Sequence, residues 1–143
     1  MTGQAAAPVF TGSCLCGAIR YEARGASLGA NHCHCVQCQR TSGAAMLTWA
    51  TWPRSAVRML SGQVAEFESS PGVKRAFCPR CGSTLFWRRE AGRDAPDEID
   101  IAAGTLDQGD QIEPSDHIFV KSRRRWLPLC DGLPAYGEAR PKA

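Results

Sequence analysis

The sequence predicts a single antiparallel all-β domain. Three observations carry that prediction. Short apolar runs with strand-like alternation recur along the chain, turn-forming Gly, Pro, Ser and Asp residues separate them, and no segment holds a long apolar stripe at helical spacing. At 143 residues, 43% hydrophobic and 22% charged, the chain is long enough to enclose one core and has no composition of disorder.

The elements follow in chain order. Ala18 to Arg24 alternates Ile19, Tyr21 and Ala23 with Arg20, Glu22 and Arg24, a half-buried strand. Cys35 to Ser42 is the best helical stretch, and it is short. Ala44 to Trp52 is an apolar run with Thr48 and Thr51, halted by Pro53. Val57 to Leu60 and Val64 to Glu68 flank Ser61-Gly62, which reads as a hairpin turn. Ser83 to Arg89 follows the Gly82 turn, with Leu85 and Trp87 expected on one face. Arg89 to Asp97 reads as an exposed loop. Glu98 to Ala102 places Ile99 and Ile101 together, and Ile118 and Val120 share a face after His117. No internal repeat or linker interrupts the chain. Residues 1–11 are expected to be a flexible leading segment, 12–137 the folded domain, and 138–143 a tail.

No apolar run approaches the roughly 20 residues of a membrane span, so no membrane role is expected. Met1 to Phe10 lacks the basic region and apolar core of a signal peptide. The expected setting is therefore a reducing cytoplasm, where eight cysteines point to metal rather than to disulfides. The formal charge of +3 counts each cysteine as a neutral thiol. Seven ligand thiolates and two zinc ions would bring it close to zero, which argues against nucleic acid as a partner.

Cys14-Leu15-Cys16-Gly17 and Cys78-Pro79-Arg80-Cys81-Gly82 supply four thiolates, enough to close a tetrahedral structural zinc site. In each knuckle the chain must double back on the ion, and the glycine can take the positive φ of that turn. Ordinary buried cysteines or a redox pair at Cys78 and Cys81 are the competing readings, though the latter usually wants a βαβ context. Cys33-His34-Cys35-Val36-Gln37-Cys38 gives three more thiolates. Three protein ligands leave a fourth position for water or substrate, the pattern of a catalytic zinc. His32, His34 or Cys130 would close the sphere and make the site purely structural. A solvent-facing or carbonyl-bound His34 is the plainer reading of that residue.

In this order, Gly12-Ser13-Cys14-Leu15-Cys16-Gly17, Cys33-His34-Cys35-Val36-Gln37-Cys38 and Cys78-Pro79-Arg80-Cys81-Gly82-Ser83 resemble the glutathione-dependent formaldehyde-activating enzymes, the GFA or CENP-V-like family. Ser42-Gly43, Ala103-Gly104-Thr105-Leu106, His117-Ile118-Phe119-Val120 and Asp131-Gly132-Leu133-Pro134 with Tyr136 extend the match over nearly the whole chain. The resemblance implies an Mss4-like fold of coiled antiparallel β-sheets with zinc-ribbon-type knuckles. It implies a structural zinc on Cys14, Cys16, Cys78 and Cys81, and an active-site zinc on Cys33, Cys35 and Cys38. The activity it implies is that of a carbon–sulfur lyase on thiol–aldehyde adducts, with S-hydroxymethylglutathione as the type.

A trithiolate zinc carries a net charge of −1, which makes it a poor activator of water and a natural holder of a soft sulfur. A small-molecule thiol such as glutathione is therefore the expected partner. His32, His34 and His117 are candidate proton carriers, and Arg123-Arg124-Arg125 could hold glutathione carboxylates. Trp49, Trp52, Trp87 and Trp126 are expected in the core or in a pocket wall. The alternative to an enzyme is a zinc-bearing module that binds protein or nucleic acid.

Overall fold

The computed structural model describes residues 3, 6–92 and 95–141. Parts of the predicted 89–97 loop and of both expected terminal segments lie outside the described residues. Among the described residues ten strands form two sheets, and every neighbouring pair but one is antiparallel, as the alternation predicts. The smaller sheet contains β1 (Val9–Ser13), β2 (Arg20–Arg24) and β5 (Val57–Ser61), in the order β1-β2-β5. The larger contains β3 (Gly29–Cys33), β4 (Leu47–Pro53), β6 (Ala65–Ser70), β7 (Val73–Phe77), β8 (Thr84–Arg89), β9 (Glu98–Ala102) and β10 (His117–Ile118). Its order is β10-β3-β4-β9-β8-β7-β6. Among the described residues one α-helix forms, α1 (Val36–Ser42), after β3.

The core fills the space between the two sheets. Phe10 and Tyr21 come from the smaller sheet, Ile19 from the turn just before β2, and Trp52, Phe86 and Ile101 from the larger sheet. Phe10 meets Trp52 edge-on at 5.3 Å between ring centroids, and Tyr21 meets Phe86 edge-on at 5.0 Å, the geometry that aromatic quadrupoles favour. Gly12 is required here, because a Cβ would run into the Tyr21 ring and the Thr105 carbonyl. Among the described residues no helix is long and apolar enough to cross a membrane.

Three local expectations are corrected. Val57–Ser61 and Ala65–Ser70 are not a hairpin: β5 pairs with β2 and β6 with β7, so the chain crosses between sheets at Gly62. Leu85 and Trp87 do not share an environment. Ala76 pairs with Phe86 but Phe77 pairs with Thr84, which makes Leu85 the extra residue of a β-bulge. Leu85 and Phe86 therefore both enter the core, while Trp87 turns to the other face. The strand after His117 stops at Ile118, because Phe119 is left-handed (φ 56°) and Val120–Ser122 form a 3₁₀ turn. At the ends, β1 already begins at Val9, and Phe119 N–H donates to the Glu138 carbonyl (3.0 Å). Hydrogen-bonded structure thus reaches beyond 12–137 on both sides.

Candidate metal centres and the adjoining cavity

The Sγ atoms of Cys14, Cys16, Cys78 and Cys81 lie within 4.8 Å of one another. Cys14 Sγ is 3.6 Å from Cys16 Sγ, which is 3.9 Å from Cys78 Sγ. A tetrahedral ion with Zn–S near 2.3 Å requires sulfur–sulfur edges of about 3.8 Å. The donor set therefore fits zinc, and no disulfide competes for the thiols. Both knuckle glycines take the expected positive φ, Gly17 at 79° and Gly82 at 78°. Backbone N–H groups point at the sulfurs, Ile19 N to Cys14 Sγ at 3.2 Å and Cys81 N to Cys78 Sγ at 3.5 Å. Ser83 ties the two knuckles: its hydroxyl accepts from Leu15 N (2.9 Å) and lies 3.2 Å from Cys81 Sγ. That contact with Ser83 is the main reason the Cys81 thiol is lowered to about 5.

Cys33, Cys35 and Cys38 also lie within 4.8 Å of one another, with Cys33 and Cys38 at 3.5 Å. Cys33 ends β3, and Cys35 caps α1: its sulfur accepts from Cys38 N at 3.2 Å and stands where a Ser or Asp usually would. The helix closes on Gly43 at φ 71°. Cys35 is held far below the ordinary thiol range, by its contact with Cys33 first and Cys38 next, while Cys33 is pushed up. Three sulfurs this close cannot all ionise without a cation among them, so this donor set also fits a metal ion.

None of the three residues weighed as a fourth ligand joins this trio. Cys130 is exposed. The alternation of β3 sends Asn31 and Cys33 to one face and His32 to the other. His34 is fully buried, with Nε2 2.8 Å from His117 Nδ1. His34 is therefore neither solvent-facing nor a donor to the trio.

Beside the trio a cavity of about 560 Å³ opens on the face of the large sheet turned away from the main core. Trp49 and Trp87 wall it, and Trp49 Nε1 donates to Cys38 Sγ at 3.5 Å. Arg75 is buried with no carboxylate partner among the described residues. It donates instead to Cys38 Sγ (3.7 Å), Gln37 Oε1 (3.3 Å) and Ser69 Oγ (3.1 Å). Arg89 stands over the Trp87 ring at 5.9 Å. Among the described residues, Asp100 is the one carboxylate lining this cavity. Thr51 donates to its Oδ1 at 2.5 Å, and burial pushes its carboxyl up to about 6.

Several sequence expectations need correction. His32, His34 and His117 do not line the cavity, so they are not placed to carry protons there. Arg123, Arg124 and Arg125 are absent from it as well, and Arg123 folds back onto the Leu127 carbonyl at 2.5 Å. Trp52 is core and Trp49 and Trp87 are wall, but Trp126 is 72% exposed. Sequence reasoning missed Arg75, Arg89 and Asp100. The cue for Asp100 was an acid between two isoleucines on a strand whose alternate face was assumed to meet solvent.

Known proteins resemble this chain in sequence and in fold. The family model described as glutathione-dependent formaldehyde-activating enzyme matches residues 9–122. An uncharacterized lyase of Schizosaccharomyces pombe is 28% identical over 87 residues, which are 61% of this chain and 63% of the yeast protein. The chain thus spans less than two thirds of that relative. A crystal structure of a Rhodobacter sphaeroides protein is similar with a TM-score of 0.57 at 25% identity, over 88% of this chain and 98% of the other. With the family match running across both cysteine clusters, the chain belongs to the glutathione-dependent formaldehyde-activating enzyme family.

Proposed function

We propose that the chain is a zinc-dependent carbon–sulfur lyase acting on thiol–aldehyde adducts of the S-hydroxymethylglutathione type. The observation that carries this reading is the trio Cys33, Cys35 and Cys38, which borders a large cavity and has no fourth partner in its cluster among the described residues. Family membership and the lyase name of the yeast relative support the class of reaction. Cys14, Cys16, Cys78 and Cys81 would hold a structural zinc, and the trio a second, reactive one. Zinc bound to the trio supplies a soft electrophilic position for the substrate sulfur.

The protein's own residues do the rest. Trp49 and Arg75 donate to Cys38 Sγ and draw off part of the thiolate charge, which keeps that position electrophilic. Arg89, stacked on Trp87, presents a guanidinium for a substrate carboxylate. In the cleaving direction the C–S bond breaks with its electron pair on sulfur, and the hydroxyl proton leaves as the aldehyde C=O forms. In this reading Asp100, which lines the same cavity, accepts that proton and returns it in the reverse direction. A carboxyl tuned to about 6 is well matched to both tasks near neutral pH.

Zinc-edge X-ray absorption on the holoprotein tests the reading. Adding glutathione should turn seven sulfur ligands over two zinc ions into eight, and a Cys38→Ser variant should show no such gain. An unchanged sulfur count in the unsubstituted protein would sink the thiol-binding role.

A further inference from the structure

We propose that His32, His117 and Asp131 form a third metal site, free of thiolate, for a borderline divalent cation of the zinc or cobalt kind. One ring nitrogen of each histidine and a carboxylate oxygen of Asp131 lie within 4.8 Å of one another. The site stands on the reverse side of β3 from the cysteine trio and does not rest on the proposed activity.

The fold builds this cluster from three separate segments. The parallel pairing of β10 with β3 sets His117 opposite His32, and their rings lie 4.7 Å apart with a tilt of 32°. The chain beyond Asp131 is fastened alongside, with His117 N donating to the Pro134 carbonyl (2.8 Å) and Tyr136 N to the His117 carbonyl (2.9 Å). Leu133 N donates to Asp131 Oδ1 at 3.1 Å, which turns Oδ2 toward His117 Nε2 at 2.8 Å.

Each imidazole is already oriented through its other nitrogen, as metal-bound histidines are. Thr48 Oγ1 holds His32 Nδ1 at 2.8 Å, leaving Nε2 with no protein partner among the described residues. Buried His34 holds His117 Nδ1 at 2.8 Å, leaving Nε2 as the nitrogen that faces Asp131. His34 Nδ1 is itself buried and without a partner, so this network is incomplete as it stands. Two neutral imidazoles and one carboxylate carry a single negative charge, and nitrogen and oxygen donors of this kind suit a borderline ion. Ligand distances near 2.1 Å require edges of about 3.4 Å. Rotation of the exposed Asp131 side chain from direct contact with His117 provides that adjustment. The bound ion would clamp the C-terminal segment and β10 onto β3.

The test is a titration of the two-zinc holoprotein with Co²⁺, read by visible and near-ultraviolet absorption. The expected result is one further equivalent with d–d bands and no sulfur-to-cobalt charge-transfer band. Asp131→Asn and His32→Gln should each weaken that equivalent by at least about 10-fold. Asp131 is exposed, so its variant keeps the test valid should the His32 substitution disturb the strand. Absence of the added equivalent, charge transfer as its only signature, or equal binding by Asp131→Asn would each overturn the site and leave a hydrogen-bonded relay. Because charge transfer reports the cysteine clusters separately, failure here does not touch the reading of those clusters.

Discussion

At the scale of single residues, the cavity is governed by two charges of opposite kind, a buried cation and a half-buried carboxylate. Arg75 has no carboxylate, and its compensation comes from the sulfur cluster it touches at Cys38. Asp100 has no cation bonded to it among the described residues and is stabilised by the Thr51 hydroxyl alone. Its carboxyl is raised to about 6, above the ordinary value near 3.9 of an unfolded chain. Folding therefore favours the protonated form. The associated stability is complete below about pH 4 and is lost as pH climbs through about 6. Asp100→Asn cannot ionise, and its amide oxygen can still accept from Thr51. The variant should match the unsubstituted protein in urea melts at pH 4 and exceed it by about 1–2 kcal/mol at pH 7.5, after allowance for solvent contact. Catalysis should move oppositely, falling most where the carboxylate is normally ionised. A variant no more stable at pH 7.5 would show that Asp100 is not held against ionisation.

At the scale of elements, what the sequence revealed depended on whether a local rule or a distant partner decided the outcome. The short helix expected over Cys35 to Ser42 and the positive-φ turns at Gly17 and Gly82 obey local rules and were legible, whereas the cap at Cys35 was not read. The core faces of β2 and β9 were legible too, because Tyr21, Ala23, Ile99 and Ile101 are buried, although Glu22 on the other face of β2 is buried as well. The supposed hairpin at Ser61-Gly62 failed because its two strands find better partners far along the chain, and no short window contains β2 and β7. The bulge at Leu85 is likewise a matter of register, set across the ladder by Ala76 and Phe77. Gly62 is the hinge of that crossing. It stands at φ 78°, and a Cβ there would strike the Ala18 carbonyl and come within 2.7 Å of Ile19 Cδ1. Gly62→Ala should therefore cost about 1–3 kcal/mol in chemical denaturation, without change in zinc content. A cost below about 0.5 kcal/mol would mean that the crossing relaxes freely.

At the scale of the whole molecule, the two cysteine clusters differ in what they connect. Cys14 and Cys16 lie beside β1 and β2 of the small sheet, and Cys78 and Cys81 lie between β7 and β8 of the large one. A metal held by all four bridges both sheets and closes a loop of more than sixty residues. Cys33, Cys35 and Cys38 span only the end of β3 and the first turn of α1, a local loop whose closure removes little entropy from the unfolded chain. Their spacing was legible in the sequence, but the cavity polar groups were not, because Arg75, Arg89 and Asp100 come from three strands that only tertiary pairing brings side by side. Removing one ligand from each cluster should thus have unequal effects. Structural zinc contributes of the order of 10 kcal/mol to folding in small domains. Cys81→Ser should lose one zinc together with cooperative unfolding. Cys38→Ser should lose one zinc while keeping a melting transition within a few degrees of the unsubstituted protein, and should lose thiol binding. Zinc content by mass spectrometry beside calorimetry separates the cases. Equal destabilisation by both variants would mean that the trio also holds the sheets together, and the division between a structural and a reactive ion would fall.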